Sequence, residues 1–392
     1  MLKAAIYDPY LDTLGGGERY CLSIAESLLI KGYQVDIFWS GDPDIIIQAQ
    51  KRFNLQLDKV RLIPDIFNEH CQHLESVEDT TLIGTIASHH QPLTSLFQKI
   101  SQFIHRYQIT SQYDLLFYLS DWSIPFLFSH QNILHVQVPF IKSTHFREKF
   151  LNILKIFFIK KIICNSNFTQ GFAQAKFGGK CLTLYPPVDV SQFSSSSSKQ
   201  NIILSVGRFD SLLNSKKQDV LIRAFAKLIK QNKNSDWKLV LAGGSLSSPH
   251  SNSYLLHLQS LAKDLPVEFI INPDFTKLKS VYESAKIYWH AAGYEVDQAS
   301  HPENTEHFGM APVEAMASGA VPVLVHKGGL CEIISDNFDG YLWQDESELI
   351  SKTQLLMATP QKWLEMSQKS INTSQKFSKE SFNINFTNIL KL

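Results

Sequence analysis

The sequence carries no excess charge of either sign. Its 392 residues hold 37 Lys and Arg against 37 Asp and Glu, a formal net charge of zero. Phosphate backbones select for basic surfaces, so nothing in this balance points to a nucleic-acid partner. Cysteine is sparse and scattered, at Cys21, Cys71, Cys164, Cys181 and Cys331, with no C-x-x-C pair. That spacing argues against a disulfide framework or a zinc site and fits a reducing compartment. Long apolar runs are missing too. The greasiest stretch, Phe150 to Ile163, is broken by Lys155, Lys160 and Lys161 and is too short and too charged to span a bilayer. No charged segment precedes an apolar run at the start, so no secretory signal is expected and the expected location is cytoplasmic. The G-x-G-x-x-G pattern of dinucleotide-binding folds is also absent.

What is present is enough apolar residue, 44%, for a sizeable core, and a length that suggests two domains. Residues 2–8 form a buried apolar run. Three glycines follow, then a helical pattern over 18–31 and a second strand over 34–39. This strand–helix–strand order predicts a parallel, doubly wound sheet. Further strand-like runs lie at 60–63, 115–119, 133–138 and 161–164. After Pro186-Pro187 and a run of five serines the alternation starts again. Strands are expected at 202–206, 238–242, 267–271, 287–290 and 321–325, and helices at 217–231, 252–263, 275–284 and 311–318. The reading is therefore α/β: residues 1–190 as one Rossmann-like domain, 191–200 as a Ser-rich linker, and 201–375 as a second such domain. A terminal helix in 376–392 is expected to pack back on the first domain. Open sheets of this kind bind ligands at the carboxyl ends of their strands.

Three stretches bear chemistry at such ends. Gly15-Gly16-Gly17-Glu18 opens a helix after the first strand, where bare backbone N–H groups favour an anion; a plain tight turn reads the same way. Val206-Gly207-Arg208 closes a strand and Lys216-Lys217 opens the next helix, so a guanidinium and an ammonium can converge on one anion. The segment Thr305-Glu306-His307-Phe308-Gly309-Met310-Ala311-Pro312-Val313-Glu314 places Pro312 in a helix's first turn and Gly319 at its C-terminal cap. It offers the amides of Gly309 and Met310 flanked by two carboxylates, which suits the sugar and ribose hydroxyls of a sugar nucleotide.

These residues resemble the retaining glycosyltransferases of family four, with their GT-B architecture of two Rossmann-like domains facing a cleft. The resemblance rests on Glu306 and Glu314 with seven residues between them, on 15–18, on Asn165-Ser166-Asn167-Phe168-Thr169, and on Tyr185-Pro186-Pro187-Val188-Asp189. Val206-Gly207-Arg208-Phe209 with Lys216 completes it. The closest likeness is to mannosyltransferases of lipid-linked oligosaccharide or polysaccharide assembly. The resemblance implies a hexosyltransferase that needs no cofactor or metal. Its donor is a nucleotide-diphosphate sugar, GDP-mannose first and a UDP-sugar second, and its acceptor is a saccharide or lipid-linked. It implies that Arg208 and Lys216 bind the diphosphate, Glu314 the ribose and Glu306 the donor sugar. Gly309 and Met310 would give amides, and Gly16 and Gly17 would close over the phosphates. Lys217 remains an alternative to Lys216. A catalytic His135, with Gln137 as the alternative in its place, is weighed against a core histidine.

Other features have blander readings. Asp42-Pro43-Asp44 matches the metal-holding Asp-x-Asp of other glycosyltransferases but sits where turns favour Asp. His70, His73, His89 and His90 lack a plausible fourth-ligand pattern and read as surface loop residues. The cationic, aromatic stretch 146–163 reads as a core-facing helix running into a strand, with peripheral contact at an anionic membrane face as the alternative. The alternative functions are a non-catalytic sugar-nucleotide-binding protein and a nucleotide-sugar epimerase.

Overall fold

A computed structural model describes the chain except for residues 68–95, 121–123, 140–151, 153, 197, 212–214, 233–234, 246–248 and 392. It contains two parallel sheets. The first is built from β1 (Lys3–Tyr7), β2 (Gln34–Phe38), β3 (Val60–Ile63), β4 (Leu115–Ser120), β5 (Gln131–Val136), β6 (Ile159–Cys164) and β7 (Cys181–Thr183). Their order is β3-β2-β1-β4-β5-β6-β7. The second has β8 (Gln200–Val206), β9 (Lys238–Gly243), β10 (Val267–Ile271), β11 (Ala285–His290), β12 (Val321–Val325) and β13 (Tyr341–Trp343), in the order β10-β9-β8-β11-β12-β13. The expected α/β class, GT-B with two Rossmann-like domains, is borne out.

The strands are apolar because both faces of a parallel sheet are covered by helices. In β4 and β12 every residue is buried. The helices, in chain order, are α1 (Gly16–Ile30), α2 (Ile45–Phe53), α3 (Leu96–Thr110), α4 (Asn167–Phe177), α5 (Gln218–Gln231), α6 (Pro249–Leu261) and α7 (Phe275–Ser284). After them come α8 (Met310–Ala317), α9 (Glu346–Ala358), α10 (Pro360–Ser374) and α11 (Lys379–Leu390). Asp42, one half of the Asp-x-Asp, organises the turn into α2: its Oδ1 accepts the Asp44 N–H at 2.9 Å and its Oδ2 accepts from Gln48 Nε2 at 3.3 Å.

The chain divides into two compact units. One holds residues 1–136, 143–163 and 179–182; the other holds 137–142, 164–178 and 183–392. Helix α4 falls in the expected first domain by sequence order but is counted with the second unit. The cause is local: both Glu332 carboxylate oxygens accept N–H bonds from its first turn, Asn167 at 2.7 Å and Phe168 at 2.6 Å. The stretch 191–200, expected as a linker, is pinned inside the same unit. The Ser194 N–H and Oγ both donate to Glu283, and Lys199 Nζ donates to the carbonyls of Ala285 and Ser318. Helix α11 also belongs to this unit. Val188 donates its N–H to Phe377 at 2.8 Å, and Lys379 pairs with Asp189 at 2.9 Å.

Candidate active site

In the second unit the sheet grows from β8 outward to β9 and β10, then turns back to β11 on the other side. The crevice outside the carboxyl ends of β8 and β11 is therefore the switch point where an open α/β sheet offers a ligand site. The backbone leaving β8 is held close to β9. Gly207 donates to Ala242 O at 2.9 Å and Phe209 to Gly244 O at 2.8 Å. A Cβ on Gly243 would lie 2.0 Å from Gly207 O, so only glycine permits that approach. Gly207 in turn makes room for Lys216, whose Cγ would stand 2.6 Å from a Cβ at 207. Buried Gln218 donates to Arg208 O at 2.9 Å and ties the loop to the start of α5.

The segment after β11 is fixed in a comparable way. Thr305 is buried, with its hydroxyl donating to Pro302 O at 2.8 Å. Gly329 donates to Glu306 O at 2.8 Å, and a Cβ on it would stand 2.2 Å from His307 O. The chain after β12 thus presses directly on the backbone of Glu306 and His307. Gly309, at φ +106°, is the N-cap of α8, and Pro312 lies in its first turn. At the other end Gly319 has φ +80°, Ala320 donates to Ala315 O and Gly319 to Met316 O, which is a Schellman close. Both helix signals read from the sequence hold.

Lys216 Nζ lies 2.6 Å from Glu306 Oε2. The same oxygen lies 3.1 Å from His290 Nε2. His290 ends β11 and is 3% exposed, and its Nδ1 accepts the Ala292 N–H at 3.2 Å. An imidazole accepting at Nδ1 carries its proton on Nε2, so His290 is a neutral donor to the carboxylate. Burial lowers the His290 pKa, although Glu306 pulls it the other way. Burial alone would raise the Glu306 carboxyl; the Lys216 charge and the His290 hydrogen bond outweigh it and hold the group well below the usual carboxylate range. His307 is pushed down to about 4 by burial. The phenols of Tyr282 and Tyr288 are raised by burial, with the charge of Glu314 adding to it.

The structure therefore brings Lys216 and Glu306 together, and it is Lys216 rather than Lys217 that meets the carboxylate. Lys217 instead takes a left-handed conformation at the N-cap of α5. Arg208 sits two residues past β8, exposed, with no ion pair to another described residue. Gly309 and Met310 form the start of α8, and Glu314 lies half-buried within it. Of the other sites, Gly16, Gly17 and His135 belong to the first unit and Gln137 to the second. Gly16 and Gly17 open α1, where Glu18 Oε2 accepts the Gly15 N–H at 2.6 Å. His135 is fully buried, stacked on Tyr20 at 4.1 Å, with Nδ1 2.9 Å from Ile163 O; burial pushes its pKa down to about 3. It has no exposed atom to offer a substrate, so the core alternative describes it. Gln137 is half-buried, and its carbonyl accepts from Asn165 Nδ2 at 2.9 Å. His290 was not among the sequence candidates. Its signal was position alone: the last residue of a strand beside the switch point.

Residues 189–376 match the family described as glycosyl transferases group 1. That segment holds the second sheet, β8 to β13. Lys216, His290, Glu306 and Glu314 all lie within it. Over 97% of its length the chain is 25% identical to the GDP-Man:Man(3)GlcNAc(2)-PP-Dol alpha-1,2-mannosyltransferase of Xenopus laevis, covering 86% of that protein. It is 26% identical to the protein of the same name from Dictyostelium discoideum over 60% of this chain; that alignment spans 47% of the relative, about half its length. Anabaena HepE, solved in complex with UDP and glucose, has the same fold across 100% of both chains, at TM-score 0.67 and 17% identity.

Proposed function

We propose that the chain is a retaining, metal-independent glycosyltransferase. It moves a hexose, mannose first, from a nucleotide-diphosphate sugar to a saccharide or lipid-linked acceptor. The observation that carries this reading is the Lys216–Glu306 contact at the switch point, with the start of α8 beside it in sequence. Arg208, Lys216 and the amides of Gly309 and Met310 receive the donor diphosphate, Glu306 the sugar and Glu314 the ribose. GDP-mannose is the first donor, in line with the names of the mannosyltransferase relatives; a UDP-sugar is second, in line with the ligands of HepE.

The bond that breaks joins the anomeric carbon to a diphosphate oxygen. Charge grows on that oxygen as it leaves, and fixed cations and amides stabilise it most in the transition state. The acceptor hydroxyl attacks from the same face, and its proton passes to the departing phosphate oxygen, so no protein base is required. Losing Arg208 costs roughly 3 kcal/mol of barrier, about a hundredfold in rate. The test is transfer from GDP-mannose, UDP-glucose and UDP-N-acetylglucosamine to saccharide acceptors, with and without EDTA, followed by NMR of the product's anomeric proton. Retained configuration and activity in EDTA are expected. An inverted product, or dependence on a divalent ion, contradicts the reading.

A peripheral contact with an anionic membrane face is supported by the first unit. In α3 the apolar stripe Ile100, Phe103, Ile104 and Tyr107, at helical spacing, is about half exposed, and Phe157 is 80% exposed. Residues 96–110 and 152–163 hold Lys and Arg but no Asp or Glu. Residues 146–151 and 153 of the expected segment lie outside the described residues. Among the described residues no helix is long and apolar enough to cross a membrane. An apolar stripe framed by cations fits the acyl–headgroup boundary of anionic lipid. Co-sedimentation with vesicles containing phosphatidylglycerol, lost in I104D and F157D, is expected; equal binding to neutral vesicles, or no effect of the variants, contradicts it.

A further inference from the structure

Two donors of different kinds share one oxygen of Glu306. Lys216 and His290 both approach Oε2, at 2.6 and 3.1 Å, and Oε1 has no partner among the described residues. Under the proposed function Lys216 has two claimants, because an arriving diphosphate attracts an ammonium more strongly than a single carboxylate does. A carboxylate held by Lys216 alone would lose its anchor as the donor binds. His290 cannot be drawn away in that manner. It is buried at the end of β11, with the strand register fixed by the pairing of His290 with Leu324, and the Ala292 N–H holds its Nδ1. As a neutral group it has no net Coulomb attraction to phosphate.

We propose that His290 is a positioning residue for Glu306: its Nε2–H keeps Oε2 anchored when the donor takes Lys216, so that Oε1 faces the sugar in one orientation. The inference rests on the glycosyltransferase reading of this site. The titratable groups facing the imidazole are Glu306 from the loop before α8, Lys216 from the loop before α5, and Tyr288 on its own strand. None of them competes for Nε2–H except Glu306.

His290→Phe keeps a ring and removes the donor, whereas His290→Gln keeps an N–H near the Nε2 position. The Phe variant is expected to lose about tenfold to a hundredfold in kcat with donor KM changed less than about threefold, as for a misplaced catalytic group. The Gln variant is expected to recover most of that loss. In a Glu306→Gln background, adding His290→Phe is expected to cost less than about threefold, because coupled residues are not additive. Equal losses in Phe and Gln, or an undiminished loss in the Glu306→Gln background, overturn the proposal. If wild type transfers sugar from no nucleotide-diphosphate donor, the functional reading fails separately. The contact itself is then read, with no activity needed, from ¹H–¹⁵N spectra of the imidazole, assigned by the signal missing in His290→Gln. The same spectra decide if His290→Phe does not fold. The Nε2–H tautomer from about pH 5.5 to about pH 8, perturbed in Glu306→Gln, supports the proposal. An Nδ1–H tautomer, or titration at an ordinary histidine midpoint, overturns it.

Discussion

At the scale of single residues, one ion pair and one buried acid give opposite dependences on pH. Lys216 and Glu306 are 17% and 14% exposed, so removing one partner strands a mostly buried charge. Lys216→Met should therefore lose about 2–3 kcal/mol of stability in urea unfolding. Glu306 sits below its ordinary pKa, so its contribution is fully present above about pH 4.3 and lost progressively as pH falls from there towards the depressed folded value. His290 and His307 act in the same direction. They stay neutral in the fold while the unfolded chain takes protons below about pH 6.5, so acid destabilises. Asp8 is the opposite case. Burial, with Glu18 nearby, raises it to about 7, so its stabilising protonated form is present at low pH and lost as pH rises through about 7. Asp8→Asn should raise the melting temperature at pH 8, with the gain shrinking towards pH 5; a gain independent of pH would contradict the assignment. For function, Glu306→Gln should cut turnover about a hundredfold or more while donor binding is largely kept. A non-catalytic binder has no turnover to lose, which separates the two readings. The residues also show where sequence reasoning stops. Glu306, Lys216 and Gly309 were legible because each stands at a strand end or helix start. His135 was ambiguous because alternation marks two faces of a strand, and in a parallel sheet both are buried. His290 looked like the tail of an apolar strand, and only the strand order puts it beside Glu306.

At the scale of elements, the loop from Glu306 to Met310 is shaped by glycines on a neighbouring segment. Gly329→Ala would drive a Cβ to within 2.2 Å of His307 O and push the loop off its position. The expected result is a loss of about 1–3 kcal/mol in stability together with weaker donor binding, measured by calorimetry on the folded variant. Unchanged donor affinity would mean that the loop does not shape the site. Most strands and the helices α1, α5, α7 and α8 fall within two or three residues of their sequence readings, because apolar runs and caps mark them. Helices α9 and α10 were missed. The sequence of α9 shows little contrast between faces, whereas α10 has a distinct apolar face that the sequence reading did not pick out. The three-residue strands β7 and β13 are too short for a period to show. The serine run reads as a linker by composition, yet Glu283 and Lys199 fix its ends.

At the scale of the molecule, the fold was legible almost whole, since two rounds of strand–helix alternation leave few topologies. The division into units was not, because α4 and α11 join the second unit through contacts that sequence order does not reveal. The central claim is that the carboxyl ends of β8 and β11 hold the diphosphate of a sugar nucleotide. A ligand that binds only the folded state raises its melting temperature. The most direct measurement is a thermal melt of wild type, Arg208→Ala and Lys216→Ala with GDP-mannose, GDP, UDP-glucose and UDP. A rise for at least one nucleotide in wild type, reduced or abolished in both variants, is the predicted result. No rise with any of the four, or an equal rise in all three proteins, would contradict it.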